Sequence, residues 1–145
     1  MESNRLYIEA MGYDDRYELY EYYKQEACFN YLTISKVNNI DDMDELYDLL
    51  YRDSKAYVLI LKTSGLIIGD ISFYKEDNKL YLYYILDPKW WNQGYMFEAL
   101  SCLLDDEVYA KVNIENASSI ALLKKLGFIL TKKGKICEFR YRKEG

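Results

Sequence analysis

The stretch LDPKWWNQGYMFEALSCLL (residues 86–104) opens like the end of an apolar strand and closes like an apolar helix. Between the two lie the chain's only proline, Pro88, the adjacent Trp90 and Trp91, and Gly94. Upstream, KLYLYYIL (79–86) reads as a strand, and Asp87–Pro88 stops it. Downstream, the spacing predicts a helix from about Tyr95 to Leu104. A helix that begins just after a glycine presents unpaired N–H groups, and the positive end of its dipole, at the carboxyl end of the strand. Such a turn is suited to an anion, and glycine lets phosphate oxygens approach the backbone. A Walker loop needs several glycines and a Gly-Lys-Ser/Thr ending, and a dinucleotide fold needs G-x-G-x-x-G; the chain has neither.

Working outward, RLYIEA (5–10) alternates as a strand does. YDDRYELYEYYKQEA (13–27) carries a helical stripe through Tyr13, Tyr17, Tyr20 and Tyr23, and DDMDELYDLLYRD (41–53) is a second amphipathic helix with acids at its start. AYVLILKT, a turn at Ser64–Gly65, and LIIGDISFYK form a hairpin. VYAKV (108–112) is a short strand. NASSIALLKKLG is a helix capped by Asn116, striped by Leu122, Leu123 and Leu126, and ended by Gly127. FILTKK and ICEFRYR close the chain as a hairpin about Gly134. The order is β-α-α-β-β-β-α-β-α-β-β. A strand, a crossover helix and the next strand predict a right-handed parallel pair between 79–86 and 108–112. With the remaining pairs antiparallel, the expected fold is mixed α/β: a central, mostly antiparallel sheet with helices on both faces.

At 145 residues, half of them hydrophobic, the chain suits one domain over 1–145 with a real core. It has no histidine, and Cys28, Cys102 and Cys137 form no C-x-x-C pair. No metal site is therefore expected, and a Ser–His or Cys–His nucleophile is excluded. Cys102 reads as a core residue. The opening residues show no basic-then-apolar leader, and no apolar run approaches the ~20 residues of a membrane span. These features predict a cytoplasmic protein without membrane or nucleic-acid partners, the latter also disfavoured by the net charge of −5. Charge is uneven. Residues 1–50 are strongly acidic, with Asp41, Asp42 and Asp44 among them, whereas 108–145 are basic, with Lys124, Lys125, Lys132 and Lys133. An acidic front and basic back suit a cationic substrate on one side and an anionic ligand on the other. The tyrosine-rich first helix, in a chain with seventeen tyrosines, offers a surface for a homodimer.

Taken together, LYYILDPKWWNQGYMFEAL and VNIENASSIALLKKLGF resemble the GNAT superfamily of N-acetyltransferases, and look closest to the branch that acetylates ribosomal-protein N-termini. The matching residues are Leu86, Asp87, Pro88, Trp91, Gly94, Tyr95, Glu98 and Ala99, then Asn116, Ser119, Leu122, Lys125, Gly127 and Phe128. The order of elements fits along almost the whole chain. The resemblance implies a central parallel pair that splays at its carboxyl end, with acetyl-CoA as co-substrate and no metal. The pantetheine arm would run along the backbone of Tyr84, Ile85, Leu86 and Asp87. The pyrophosphate would sit on the turn and first helical amides, involving Asn92, Gln93, Gly94, Tyr95, Met96 and Phe97. Asn116 would approach the cofactor, and Lys124 or Lys125 its phosphates. The acceptor would be a primary amine on a small molecule or peptide, attacking the thioester directly.

Four departures bear on chemistry. Asn92 stands where the branch has its first glycine, and Met96 where it prefers a small residue. Tyr81 occupies the slot of a frequent glutamate base, and Leu123 that of a frequent tyrosine acid. An unshifted phenol is overwhelmingly protonated near neutrality, so Tyr81 is a poor base. The candidates that remain for proton handling are Asn116 through a held water, the Ser119 hydroxyl, and Tyr83 or Tyr84. Two other classes of function stay open: an inactive acyl-CoA-binding sensor or interaction module, favoured by Tyr81 and Leu123, and a structural or nucleic-acid-binding protein using the basic C-terminus.

Overall fold

The computed structural model describes residues 1–32, 34–52 and 54–143. Its strands are β1 (Leu6–Ala10), β2 (Lys55–Leu61), β3 (Ile67–Glu76), β4 (Lys79–Leu86), β5 (Glu107–Asn113), β6 (Ile129–Lys132) and β7 (Ile136–Arg142). The helices are α1 (Arg16–Tyr23), α2 (Ile40–Leu50), α3 (Tyr95–Leu103) and α4 (Ala117–Leu126), joined by short 3-10 turns. One sheet runs in the order β1-β2-β3-β4-β5-β7-β6. Its neighbours are antiparallel except β4 and β5, which are parallel. This is the mixed sheet expected from the sequence.

The residues explain the pattern. β1 buries Leu6 and Ile8 and exposes Tyr7 and Glu9, the period-two alternation of a strand with one face on a core. β3 is buried from Ile67 to Phe73, as a strand covered on both faces must be. Asp77 and Asn78 turn β3 into β4 with φ of +52° and +63°, values that Asp and Asn tolerate better than most side chains. Gly69 is required where β3 nears the end of β4: a Cβ there would stand 2.8 Å from the Ile85 carbonyl oxygen.

Two cores flank the sheet. On one face Leu100 of α3 and Leu123 of α4 pack with Leu6, Ile71 and Phe139; on the other, Leu19, Tyr23, Met43 and Tyr47 of α1 and α2 pack with Val58 and Ile85. Each fully buried aliphatic side chain stabilises the fold by about 1.5–3 kcal/mol. α4 is capped as expected. The Asn116 side chain accepts the Ser119 N–H at 3.3 Å, and Gly127 ends the helix with φ +101°.

The first helical segment differs from the expectation. Instead of one helix over 13–27, Tyr13–Asp15 and Glu26–Phe29 are 3-10 turns on either side of α1. The stripe is different too. α1 buries Arg16, Leu19, Tyr22 and Tyr23, while Tyr13 and Tyr17 are exposed. Arg16 is held by Asp44 of α2 and lies between the rings of Tyr13 and Tyr17, at 3.7 and 4.4 Å from their centroids. The second helix begins at Ile40, capped by Asn39, and ends at Leu50; Asp53, the expected end, lies outside the described residues, as do 144 and 145 of the expected domain.

Candidate active site

β4 and β5 share one registered pair, Tyr81 with Tyr109. Beyond it a cleft of about 1050 Å³ opens, with Leu82 to Leu86 on one wall and Ala110 to Asn113 on the other. The Asp87 N–H donates to the Ile68 carbonyl at 2.8 Å. By the alternation of an antiparallel ladder, Ile85 and Asp70 form the next hydrogen-bonded pair. Tyr84 and Leu86 therefore turn their backbone polar groups away from β3 and toward the cleft. The Leu86 carbonyl is already engaged by the Trp91 indole N–H at 2.8 Å.

The turn that leads out of β4 closes one end of the cleft. Asn92 and Gly94 both have left-handed backbone, φ +61° and +80°. No side chain caps α3, and its first intrahelical bond runs from the Glu98 N–H to the Gly94 carbonyl at 3.0 Å. The amides of Tyr95, Met96 and Phe97 thus have no carbonyl one turn back. Cations surround this end. Lys125 of α4 sits 4.4 Å over the Phe97 ring, and Arg5, just before β1, sits 4.0 Å over the Tyr95 ring, 3.5 Å from where a Gly94 Cβ would stand. Arg5 carries no signal in the sequence that would single it out for this place. It is fixed by Glu98, whose carboxylate accepts from the Arg5 Nε and N–H, both at 2.8 Å, and from Ser3. Burial pushes the Glu98 carboxyl up, but these bonds outweigh it and hold it below the usual range.

Across the cleft from α3, the Tyr84 hydroxyl and the Ser119 Oγ are hydrogen-bonded to each other. Burial pushes the Tyr84 phenol up to about 12, against the lowering effect of the Ser119 bond. Asn116 uses its side-chain oxygen as the α4 cap. Tyr83 also lines the cleft, and its hydroxyl is the one buried side-chain polar atom without a hydrogen-bond partner among the described residues. Tyr81 does not line it. Its hydroxyl donates to Glu138 Oε1 at 2.8 Å, and burial, with that bond, pushes the phenol up to about 12. Leu123 is fully buried in the core.

A family profile describing an acetyltransferase (GNAT) domain matches residues 5–129. The chain belongs to that family. It is an N-acetyltransferase by that membership. Three solved structures share the fold. A GNAT-family acetyltransferase from Bacillus anthracis is 21% identical, with 97% of this chain and 95% of that one covered and a TM-score of 0.81. A spermidine N-acetyltransferase from Vibrio cholerae, in complex with CoA and spermine, is 15% identical, with 95% of each chain covered and a TM-score of 0.80. RimL, a ribosomal L7/L12 alpha-N-protein acetyltransferase in complex with coenzyme A, is 18% identical, with 97% and 95% covered and a TM-score of 0.82. No curated protein sequence matches the chain.

The expected site residues of this GNAT domain fall into two groups. Tyr84, Ile85, Leu86, Asn92, Gly94, Tyr95, Met96, Phe97, Asn116, Ser119 and Lys125 all line the one cleft. Asp87, Gln93 and Lys124 do not. The Asp87 carboxylate accepts the Lys89 N–H at 3.2 Å and its own N–H is spent on β3, so it serves the turn rather than the cleft. Exposed Gln93 reaches back to the Lys89 carbonyl. Met96 is buried in the core beside α3, so its length is absorbed there. The acidic front expected to suit a cationic substrate does not line the cleft. Asp41, Asp42 and Asp44 lie off the cleft wall; Asp44 is spent on Arg16 and Asp42 on the Asn38 N–H. The cleft is also lined by the segment after α1, including Cys28, Asn30 and Tyr31, and by Tyr74 and Tyr83. The charged residues lining the cleft, among those described, are Lys111 and Lys125. No helix of the described residues is long and apolar enough to cross a membrane.

Proposed function

We propose that the chain transfers the acetyl group of acetyl-CoA to a primary amine by direct attack, in the cytoplasm. The observation that carries this reading is the uncapped start of α3 at the mouth of the β4–β5 cleft, with Lys125 and Arg5 beside it. The amides of Tyr95 to Phe97, freed by the left-handed turn at Gly94, suit a diphosphate. The backbone groups of Tyr84 and Leu86 that face the cleft suit an extended pantetheine arm, which would hydrogen-bond there as an added strand does. A cleft-facing N–H on this strand also serves to polarise the thioester carbonyl.

In this reading the Tyr84 hydroxyl, oriented by Ser119, protonates the leaving sulfur. A phenol with its pKa pushed up to about 12 holds its proton at neutral pH and is available as an acid. It takes the part that Leu123 cannot. Asn116, with only its oxygen used by the cap, keeps an amide group to offer the cofactor. The acceptor we favour is a peptide N-terminus or small monoamine rather than a polyamine. The cleft wall carries no carboxylate among the described residues to pair with a second or third ammonium. Kinship to the branch acting on ribosomal-protein N-termini is part of the same proposal.

Thiol release from acetyl-CoA in the presence of varied amines tests it. Turnover on a monoamine or peptide supports the reading. Tight acetyl-CoA binding without turnover on any amine supports instead a sensor on the same fold, which Tyr81 and Leu123 at the usual acid–base positions favour.

A further inference from the structure

We infer that the acceptor carries a carboxylate close to its reacting amine, and that Lys111 receives it. The inference rests on the transferase reading above and deepens it, naming the class of acceptor and the residue that selects it.

Lys111 and Lys125 are the charged side chains on the cleft wall among the described residues, and they serve opposite faces of the sheet. Ala110 and Val112 of β5 pack in the core beneath α3 and α4, so by the alternation of a strand Lys111 and Asn113 point to the other face. Lys125 belongs to α4, at the end that suits the diphosphate. Lys111 is the cation that a cofactor seated there leaves over. Counting from the registered pair of Tyr81 and Tyr109, it stands across the gap from Tyr83, one residue before Tyr84. An amine that enters opposite α3 and α4 to meet the thioester passes beside it.

That entrance is open. The core under α1 and α2 takes residues from β2, β3 and the end of β4, and none from β5, β6 or β7 among the described residues. At the cleft this bare face presents Tyr74 and Ile136, exposed by 36% and 48%, with Asn113 and Lys111. Lys133 and Lys135, just before Ile136, are exposed and make no ion pair among the described residues. A second ammonium on the acceptor would find no free counter-charge here, whereas a carboxylate would.

Two acids share the face with Lys111. Glu138, directly opposite it on β7, is largely buried and is taken by the Tyr81 hydroxyl at 2.8 Å and Lys79 at 3.8 Å. Glu76, at the end of β3, holds the Lys111 ammonium at 3.0 Å and keeps it charged by pushing its pKa up. Glu76 pairs with Lys79, well below the level of Tyr83, so the lysine is drawn down across the Tyr81 ring, 4.7 Å from its centroid. Both partners of this ion pair are more than a third exposed, and such a pair contributes only about 0–1 kcal/mol. The Lys111 ammonium therefore rests on a weakly held carboxylate of its own chain, which an acceptor carboxylate at the cleft mouth replaces.

The test is thiol release from acetyl-CoA with phenethylamine and with three tripeptide amides: alanyl-aspartyl-alanine, alanyl-asparaginyl-alanine and alanyl-lysyl-alanine. Wild type should favour the aspartyl over the asparaginyl peptide by about fivefold in kcat/KM, carried by KM, and should use the lysyl peptide least. The preference should shrink as salt is added. Lys111→Met should raise the aspartyl KM to the asparaginyl value and leave kcat and the asparaginyl kinetics unchanged. Glu76→Gln, which frees Lys111, should lower the aspartyl KM. Both variants break the same ion pair, so a merely structural pair would move them alike. Equal use of the aspartyl and asparaginyl peptides by wild type, a preference that survives Lys111→Met, or turnover of phenethylamine alone overturns the inference and leaves the transferase reading standing. No wild-type thiol release with any of the four amines overturns both.

Discussion

The Tyr84 hydroxyl on β4 and the Ser119 hydroxyl on α4 meet across the cleft, so the strand meant to carry the cofactor arm and the helix capped by Asn116 share one hydrogen bond. Under the proposed function this bond orients the proton donor, in a chain that has Leu123 at the position of the family's frequent tyrosine. Tyr84→Phe should lower kcat by about 100-fold with acetyl-CoA affinity unchanged, the scale of a lost general acid. Ser119→Ala should cost less, and the double variant should resemble Tyr84→Phe, because the two act as one unit. Steady-state kinetics over saturating acetyl-CoA measures this; additive losses would contradict a shared role.

Under the proposed function, Gly94 and Lys125 set the anion end of the cleft. Gly94→Ala forces a Cβ into left-handed backbone at a cost of about 1–2 kcal/mol and should weaken acetyl-CoA about tenfold by calorimetry. Lys125→Ala should weaken it less, and should flatten its dependence on salt. Equal affinities for wild type and both variants would place the carrier elsewhere.

Asp70 makes stability depend on pH in a direction opposite to that of a paired carboxylate. Burial raises its pKa from 3.8 to about 7. Between those values the native state holds the proton and the unfolded state does not, so stability falls as pH rises from about 4 to about 7 and is level above. Asp70→Asn cannot titrate. Denaturation at pH about 5 and about 8 should therefore show the variant gaining on wild type with rising pH, by a few kcal/mol in order of magnitude.

Glu98 behaves the other way. Its bonds to Ser3 and Arg5 keep its pKa low, so the stability they add is present above about pH 4.5 and lost as pH falls through the lowered value. Glu98→Gln should cost about 2 kcal/mol near neutrality and little in acid, read by urea denaturation.

Much of the fold was legible because its signals are local. Asn116 and Gly127 bound α4 as their capping chemistry demands, Ser64–Gly65 turns a hairpin, and the strand–helix–strand order around Gly94 implies the parallel pair. The cleft residues on β4, α3 and α4 followed from the two motifs that flank it, whereas Cys28, Asn30, Tyr31 and Tyr74 did not. What was hidden depends on contacts distant in sequence. Tyrosines on every side of residues 13–27 erase the contrast that periodicity needs, and the inward face is chosen by Tyr22 and Tyr23 reaching Asp70 on β3. Asp70 itself is a lone acid in an apolar strand, and Arg5 a lone base at the start of another. Nothing in either stretch foretells a partner 47 or 93 residues away.

The most direct measurement is a crystal structure with coenzyme A bound. It should show the pantetheine hydrogen-bonded along Tyr84 and Leu86, the diphosphate on the amides of Tyr95, Met96 and Phe97, and the sulfur near the Tyr84 hydroxyl. Coenzyme A seated away from the gap between β4 and β5, or those amides turned from the phosphates, would contradict the account.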